Sequence, residues 1–280
     1  MKYFPHRMNT DEYLKRIGYA GEVEPTLALL RALQEAHLKA IPFENLDIHG
    51  GTAIVLDVPR LYRKIVSAKR GGFCYELNGL FHWLLQELGF DSRLLSGQVY
   101  DRTTHTYGPD FDHMLGLTKI EGRKWIVDVG FGDFSMQPLE FAPDRPLTDP
   151  NGVFLIERET DEYYRVSRYS SLEHQYDPQY RFSQVERQLP DFAGMCLFHQ
   201  TSPHSHFTRN AICSIATETG RITLADNKLI ITGNGKRTES LLPGWQEYAA
   251  TLARYFAIHW SGPPLKIAGF ISTTTGGRST

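Results

Sequence analysis

Arg70-Gly71-Gly72-Phe73-Cys74-Tyr75-Glu76-Leu77-Asn78 opens the segment whose reading decides the fold. Behind it Cys74, Leu77, Phe81, Leu84 and Leu88 fall on one stripe at helical spacing, and Gly89 stops the run. The pattern predicts a helix whose buried face begins at a cysteine. The two glycines let the backbone turn tightly and approach a ligand closely. Free amides and the helix dipole supply partial positive charge at such a start, and Arg70 adds a cation, so the Cys74 thiol is expected to titrate near neutrality or below. Cys196 and Cys213 lack such surroundings and read as small apolar core residues, the commoner fate of a free cysteine.

Working outward, Asn9 or Thr10 can cap a short helix stopped by Gly18, and Thr26 can cap Leu27 to Lys39, which Pro42 ends. Asp57 can cap a third helix with Pro59 in its first turn. From about Ser92 the period drops toward two. Arg93 to Tyr100, His113 to Ile120, Lys124 to Gly130, Gly152 to Glu157 and Tyr163 to Arg168 read as strands of a sheet or small barrel. After Pro190 the pattern mixes into a lid-like α/β segment. It has a helix from Asp191 to Phe198, strands from Ala211 to Ala216 and Lys228 to Ile231, and a helix carrying Trp245, Tyr248, Leu252 and Tyr255. A Ser/Thr/Gly-rich tail follows Ile271.

A chain of 280 residues that is 41% hydrophobic and 22% charged can bury a full core in two or three subdomains. No apolar run has the length of a membrane span, and the polar start lacks the pattern of a secretory signal, so a cytoplasmic protein is expected. Three cysteines cannot all pair, which fits a reducing compartment. A net charge of −2 without a Lys/Arg block argues against nucleic acid as the main partner and points to a small-molecule substrate.

A thiol nucleophile needs an oriented base, and the chain offers eleven histidines. If His113 to Ile120 and Arg123 to Gly130 form a hairpin around Glu121-Gly122, pairing Ile120 with Arg123 sets Leu115 opposite Asp128 and His113 opposite Gly130. His113 and Asp128 then become diagonal neighbours on one face, while a one-residue slip would separate them. An aspartate inside Trp125-Ile126-Val127-Asp128-Val129 is a poor strand residue, and a buried carboxylate there calls for a dedicated partner. His82 lies eight residues beyond Cys74, off the apolar stripe, and reads as a surface residue. His204-Ser205-His206 near Cys196 and Cys213 matches none of the usual zinc spacings, so no metal is expected. Gly130-Phe131-Gly132-Asp133 lacks the residues of a phosphate loop and indicates a tight turn.

Ile41-Pro42-Phe43-Glu44-Asn45-Leu46-Asp47, the Arg70 to Asn78 stretch, Trp125 to Gly132 and Gln200-Thr201-Ser202-Pro203 together resemble the signatures of arylamine N-acetyltransferases, in that family's order. The resemblance implies an α+β protein in three parts. A helical domain over 1–90 carries the nucleophile, a β-barrel domain over 91–190 the histidine and aspartate, and an α/β lid spans 191–280. It also implies a Cys-His-Asp triad of Cys74, His113 and Asp128, the residues chosen above, on a cysteine-protease-like core. The family's aromatic substrate pocket maps onto Phe43, Phe131 and Phe207, and its coenzyme A contacts onto Tyr107, Gly108, His204 and His206. Acetyl-coenzyme A is the implied co-substrate, an aromatic amine or hydrazine the acceptor, and a homo-oligomer is compatible. A papain-like protease or transglutaminase, an amide synthase of the same fold using another thioester, and a catalytically idle binding module are the rival readings.

Overall fold

A computed structural model describes residues 8–270, so the tail after Ile271 lies outside the described residues. The helices begin where capping side chains stand. Asn9 accepts from the Asp11 amide at the start of α1 (Thr10–Arg16), and Thr26 accepts from the Leu29 amide at the start of α2 (Leu27–Ala40). Ile41 leaves α2 in extended conformation, as a residue before proline must. A two-residue strand β1 (Phe43–Glu44) follows, then α3 (Leu46–His49) and α4 (Val58–Tyr62) with its Asp57 cap. A π-helical turn covers Arg63–Ser67. The central helix α5 (Cys74–Glu87) buries Leu77, Leu80 and Leu84 completely against Tyr13, Leu30, Leu33 and Ile65. Each such leucine contributes about 1.5–3 kcal/mol through area removed from water. Every residue from Cys74 to Phe81 is buried, so the first two turns of α5 are covered on all sides and not on one stripe alone.

Nine antiparallel strands form the middle of the chain: β2 (Asp91–Asp101), β3 (Thr106–Tyr107), β4 (His113–Ile120), β5 (Arg123–Val127), β6 (Leu139–Glu140), β7 (Leu147–Asp149), β8 (Gly152–Arg158), β9 (Tyr163–Ser170) and β10 (Gln175–Arg187). Eight run in the order β6-β5-β4-β2-β10-β9-β8-β7, with β3 paired to β2. The outer strands β6 and β7 come back into contact, so the sheet nearly closes into a barrel filled by Leu95, Leu115, Phe154, Val166, Tyr180 and Phe182. The hairpin has the expected register, from Ile120↔Arg123 to Gly116↔Val127. Glu121 and Gly122 both take positive φ, as a two-residue turn between twisted strands requires. The ladder stops at Val127 and does not continue to Gly130, so Asp128 lies beyond the strand. Strand β10, which no alternation announced, fills the centre of the sheet. It carries Pro178 beside a shift in register, the one kind of place a sheet interior tolerates proline.

After a 3₁₀ turn at Leu189–Phe192 come α6 (Ala193–Thr201) and α7 (His206–Arg209). The expected helix from Asp191 thus begins two residues later and runs to Thr201, because Asp191 accepts from the Gln188 amide to cap the tighter turn. Strands β11 (Ile212–Thr217), β12 (Gly220–Ala225), β13 (Lys228–Gly233) and β14 (Lys236–Leu241) precede α8 (Trp245–Phe256). They form a second antiparallel sheet whose edge is β1, through Phe43↔Ser214 and Glu44↔Cys213. Tyr248, Leu252 and Phe256 of α8 share one buried cluster with Cys213 and Leu224 of this sheet. Among the described residues, no helix is long and apolar enough to cross a membrane.

Candidate active site

The approach to Cys74 is a charged knot. Gly71 packs so tightly against the Pro42 carbonyl that any side chain there would collide with backbone. Glu76 accepts from the Phe73 amide at 3.2 Å and caps α5. Lys64 Nζ holds Glu76 at 2.8 Å and Asp47 at 2.8 Å, and Arg70 holds Glu44 at 2.8 Å and Asp47 at 2.9 Å. The Arg70 guanidinium lies 4.9 Å from the centre of the Trp260 ring. Three carboxylates thus share two cations. Burial, opposed by Lys64 and reinforced by Glu44, pushes the Glu76 carboxyl up to about 7.

Beyond the knot, α5 packs against β4, the strand that opens with His113, and the Asp128 charge bears on the Cys74 thiol. His113 Nε2 lies 2.7 Å from Asp128 Oδ2, both residues almost fully buried. A carboxylate only accepts, which assigns the proton to Nε2; Nδ1 has no hydrogen-bond partner among the described residues. Asp128 Oδ1 also accepts from Asn78 Nδ2 and from the Gly130 amide, both at 2.9 Å. Asn78 donates again to the Met114 carbonyl at 2.6 Å and accepts from the Val129 amide at 2.9 Å. A Cβ on Gly130 would stand 2.7 Å from Cys74 Cα, so only glycine allows the loop to lie this close to the start of α5. The sequence pattern assigns Asn78 no role. Its signal was an amide side chain one turn after Cys74 on a face meant to be buried.

Tyr180 forms the floor, its ring centre 5.3 Å from that of His113 and 5.1 Å from that of Phe131. Burial and the Asp128 charge push its phenol well above the usual range, although its hydroxyl has no hydrogen bond of good geometry.

The Cys74 thiol is not acidified, contrary to the expectation from its sequence neighbours. Arg70 is spent on Glu44 and Asp47, and burial pushes the thiol well above its ordinary value, with the charges of Asp112, Cys196 and Asp128 adding to it. A hydrogen bond with the Met114 backbone opposes this. Burial also pushes Cys196 up to about 12 and Cys213 well up, so what sets Cys74 apart is the nearby imidazole–carboxylate pair and not an acidic thiol. His82 is not a surface residue either. It is half-buried, 3.1 Å from the Ser92 hydroxyl, and burial lowers its pKa to about 4.

The predicted aromatic residues divide between two walls. Phe43 and Phe207 touch, with ring centres 6.1 Å apart, and Phe207 meets Phe73 edge-on at 5.7 Å. Phe131 lies edge-on to His113 at 5.1 Å. Tyr107 is held on the barrel by a 3.1 Å bond to Glu159 and by Arg181, 4.4 Å from its ring centre. Gly108 packs against the Asp112 carboxylate, where a side chain would not fit. His204 and His206 are exposed, on either side of buried Ser205. Asp112, His199 and Ser205 are hydrogen-bonded in series, which joins the Tyr107–Gly108 stretch to the His204–His206 stretch.

An α+β fold with a buried thiol at a helix start and a buried, hydrogen-bonded imidazole–carboxylate pair is a class of arrangement compatible with acyl or peptidyl transfer chemistry. Comparison narrows the class. The profile of the family described as N-acetyltransferase matches residues 26–263. The chain is 34% identical over 287 residues to the arylamine N-acetyltransferase pineal gland isozyme NAT-10 of Gallus gallus, covering 94% of this chain and 99% of that one. It is 35% identical over 230 residues to arylamine N-acetyltransferase 1 of Homo sapiens, covering 76% and 79%. Its fold is similar to that of Mycobacterium marinum arylamine N-acetyltransferase in complex with CoA, with a TM-score of 0.82 and 29% identity over 90% of this chain and 93% of that one. The chain belongs to the arylamine N-acetyltransferases, a family of acetyl-coenzyme A-dependent acyltransferases.

Two predictions follow from this packing. Asn78→Ala removes one side chain and leaves two buried backbone groups and a carboxylate oxygen short of a partner; denaturant titration should show a loss of about 2–5 kcal/mol. The raised Glu76 carboxyl means the folded state holds a proton that the unfolded chain releases near its ordinary 4.5, so this stabilisation is complete below that pH and disappears as pH rises through about 7. Glu76→Gln keeps an acceptor for the cap and removes the charge. The fall in denaturation midpoint between pH 6 and 8 should be smaller in this variant than in the natural chain.

Proposed function

We propose that the chain moves an acetyl group from acetyl-coenzyme A through Cys74 to the nitrogen of arylamines and hydrazines, or to the oxygen of arylhydroxylamines, by a ping-pong mechanism. The observation that carries this reading is the buried 2.7 Å bond between His113 and Asp128 next to a cysteine at a helix start. His113 Nδ1 takes the Cys74 proton and the sulfur attacks the thioester carbonyl. The C–S bond to coenzyme A then breaks, and the leaving thiolate takes the proton back from the imidazolium. In the second half, the amine nitrogen attacks the acetyl-cysteine, His113 removes its proton, and that proton returns to the Cys74 sulfur as the amide leaves. Asp128 holds the imidazole in one tautomer and stabilises its cation while the proton is in transit.

Phe43, Phe131 and Phe207 supply flat apolar walls for an aromatic acceptor. An arylamine is weakly basic, so it enters neutral and nucleophilic and needs no counter-charge. Tyr107, Gly108, His204 and His206 are proposed to meet coenzyme A where the barrel edge and α7 approach each other. Burial of His113 and Asp128 supports transfer over hydrolysis, because it limits water at the acetyl-cysteine.

Acetyl-coenzyme A given without an amine should release one coenzyme A per active site in a burst, and intact-protein mass spectrometry should find one acetyl group on Cys74. An added arylamine should restore the original mass, and Cys74→Ala should show neither step. A folded, reduced chain that stays unlabelled with ample donor rules the reading out. Asp128→Asn should fold and yet lose roughly 10³–10⁴ in turnover, by analogy with neutralising a triad carboxylate.

A further inference from the structure

His199 of α6 is buried, and both of its ring nitrogens are engaged. Nε2 lies 3.1 Å from Asp112 Oδ1 and Nδ1 lies 3.0 Å from Ser205 Oγ. Asp112 can only accept, so Nε2 carries the proton and the Ser205 hydroxyl donates to Nδ1. The same Ser205 oxygen accepts from the Phe207 amide at 3.1 Å. A neutral imidazole therefore satisfies every group in the series. Tyr75 stacks on the ring, with centres 6.1 Å apart, and Phe207 meets it edge-on at 5.2 Å. The Tyr75 hydroxyl donates in turn to the Phe111 and Asp112 carbonyls, at 2.7 and 3.1 Å. The two residues before His113 are thus clamped from α5 and from α6 at once.

Asp112 also acts at a distance. The ionisable groups whose charges bear on Cys74 are Asp112 from the loop before β4, Asp128 after β5 and Cys196 from α6, with Tyr75 beside it on α5 and His113 reached through Asp128. After burial itself, the Asp112 charge is the foremost of these in opposing a thiolate. The imidazole of His199 is the one side chain that donates to this carboxylate among the described residues.

We propose that His199 is a positioning residue of the reaction: its Nε2–H bond to Asp112 holds that carboxylate in place and damps its charge, so that the Cys74 thiolate forms more readily. The proposal rests on Cys74 being the nucleophile.

The test is the pH dependence of Cys74 alkylation by iodoacetamide, followed by peptide mapping, with denaturation measured alongside. In His199→Phe the alkylation profile should move to higher pH by about one unit, which is about a tenfold slower reaction at neutral pH. His199→Gln keeps a donor and should fall between this variant and the natural chain. Asp112→Asn should alkylate faster than the natural chain, and adding His199→Phe to it should change nothing further. A purely structural role lowers stability without moving the profile. The proposal is overturned by an unmoved profile in folded His199→Phe, or by a His199→Phe effect that persists undiminished beside Asp112→Asn. If His199→Phe does not fold, Asp112→Asn decides alone, and alkylation no faster than in the natural chain overturns it. Alkylation uses no acetyl donor. A shifted profile in a chain that never takes up acetyl would reject the proposed function and leave the His199 effect standing, while normal acetylation with an unmoved profile does the reverse.

Discussion

Asn78 lies one turn beyond Cys74, and its amide spans three stretches of chain: the Met114 carbonyl on β4, the Asp128 carboxylate, and the Val129 amide after β5. Each partner is buried, so breaking the amide's contacts leaves polar groups without water to replace them. This makes the arrangement of α5 on the hairpin all but unique. A rotation of α5 by one residue, or a slip of β4 against β5, would lose several hydrogen bonds together. Gly130 adds the steric half of the constraint, since it admits the loop to van der Waals contact with Cys74 Cα. The thiol belongs to the helical part and the imidazole–carboxylate pair to the sheet, so the clamp fixes α5 against the elements that carry His113 and Asp128.

The sequence made the hairpin legible because two independent signals agreed. A turn at Glu121-Gly122 set the register, and an aspartate in an apolar strand demanded a partner. The start of α5 was legible from glycines and helical spacing. Strand β10 was hidden by its own chemistry: Pro178 and a bulge interrupt the period-two pattern in a strand that lies between β2 and β9. Strand β14 is exposed along its whole length and so carries no alternation to detect. The role of Arg70 was misjudged because nearness in sequence stood in for direction in space; the guanidinium turns away from the thiol toward Glu44 and Asp47. The Asp112–His199 bond joins residues 87 positions apart, and neither residue type announces the other.

A buried thiol that resists ionisation looks at first like a poor nucleophile, yet the geometry favours a different account. A thiolate kept permanently by a fixed cation would be stabilised in the ground state as much as in the transition state, and uniform stabilisation does not speed the chemical step. Here the cations near α5 are held in carboxylate pairs, and in the proposed mechanism His113 moves the proton from sulfur. A thiol with a raised pKa gives a more nucleophilic anion when that proton leaves, because nucleophilicity rises with basicity. The same basicity makes the sulfur a worse leaving group when the amine attacks, unless a proton arrives as the bond breaks. In the proposed mechanism, transfer in both directions therefore depends on one imidazole that gives and takes a proton in step with sulfur, and on a carboxylate that keeps it aimed. On that mechanism the charges that oppose a Cys74 thiolate, Asp112 first among them, set how far the proton must be pushed, and this is the proposed link by which the hydrogen bond from α6 to Asp112 bears on chemistry at the start of α5.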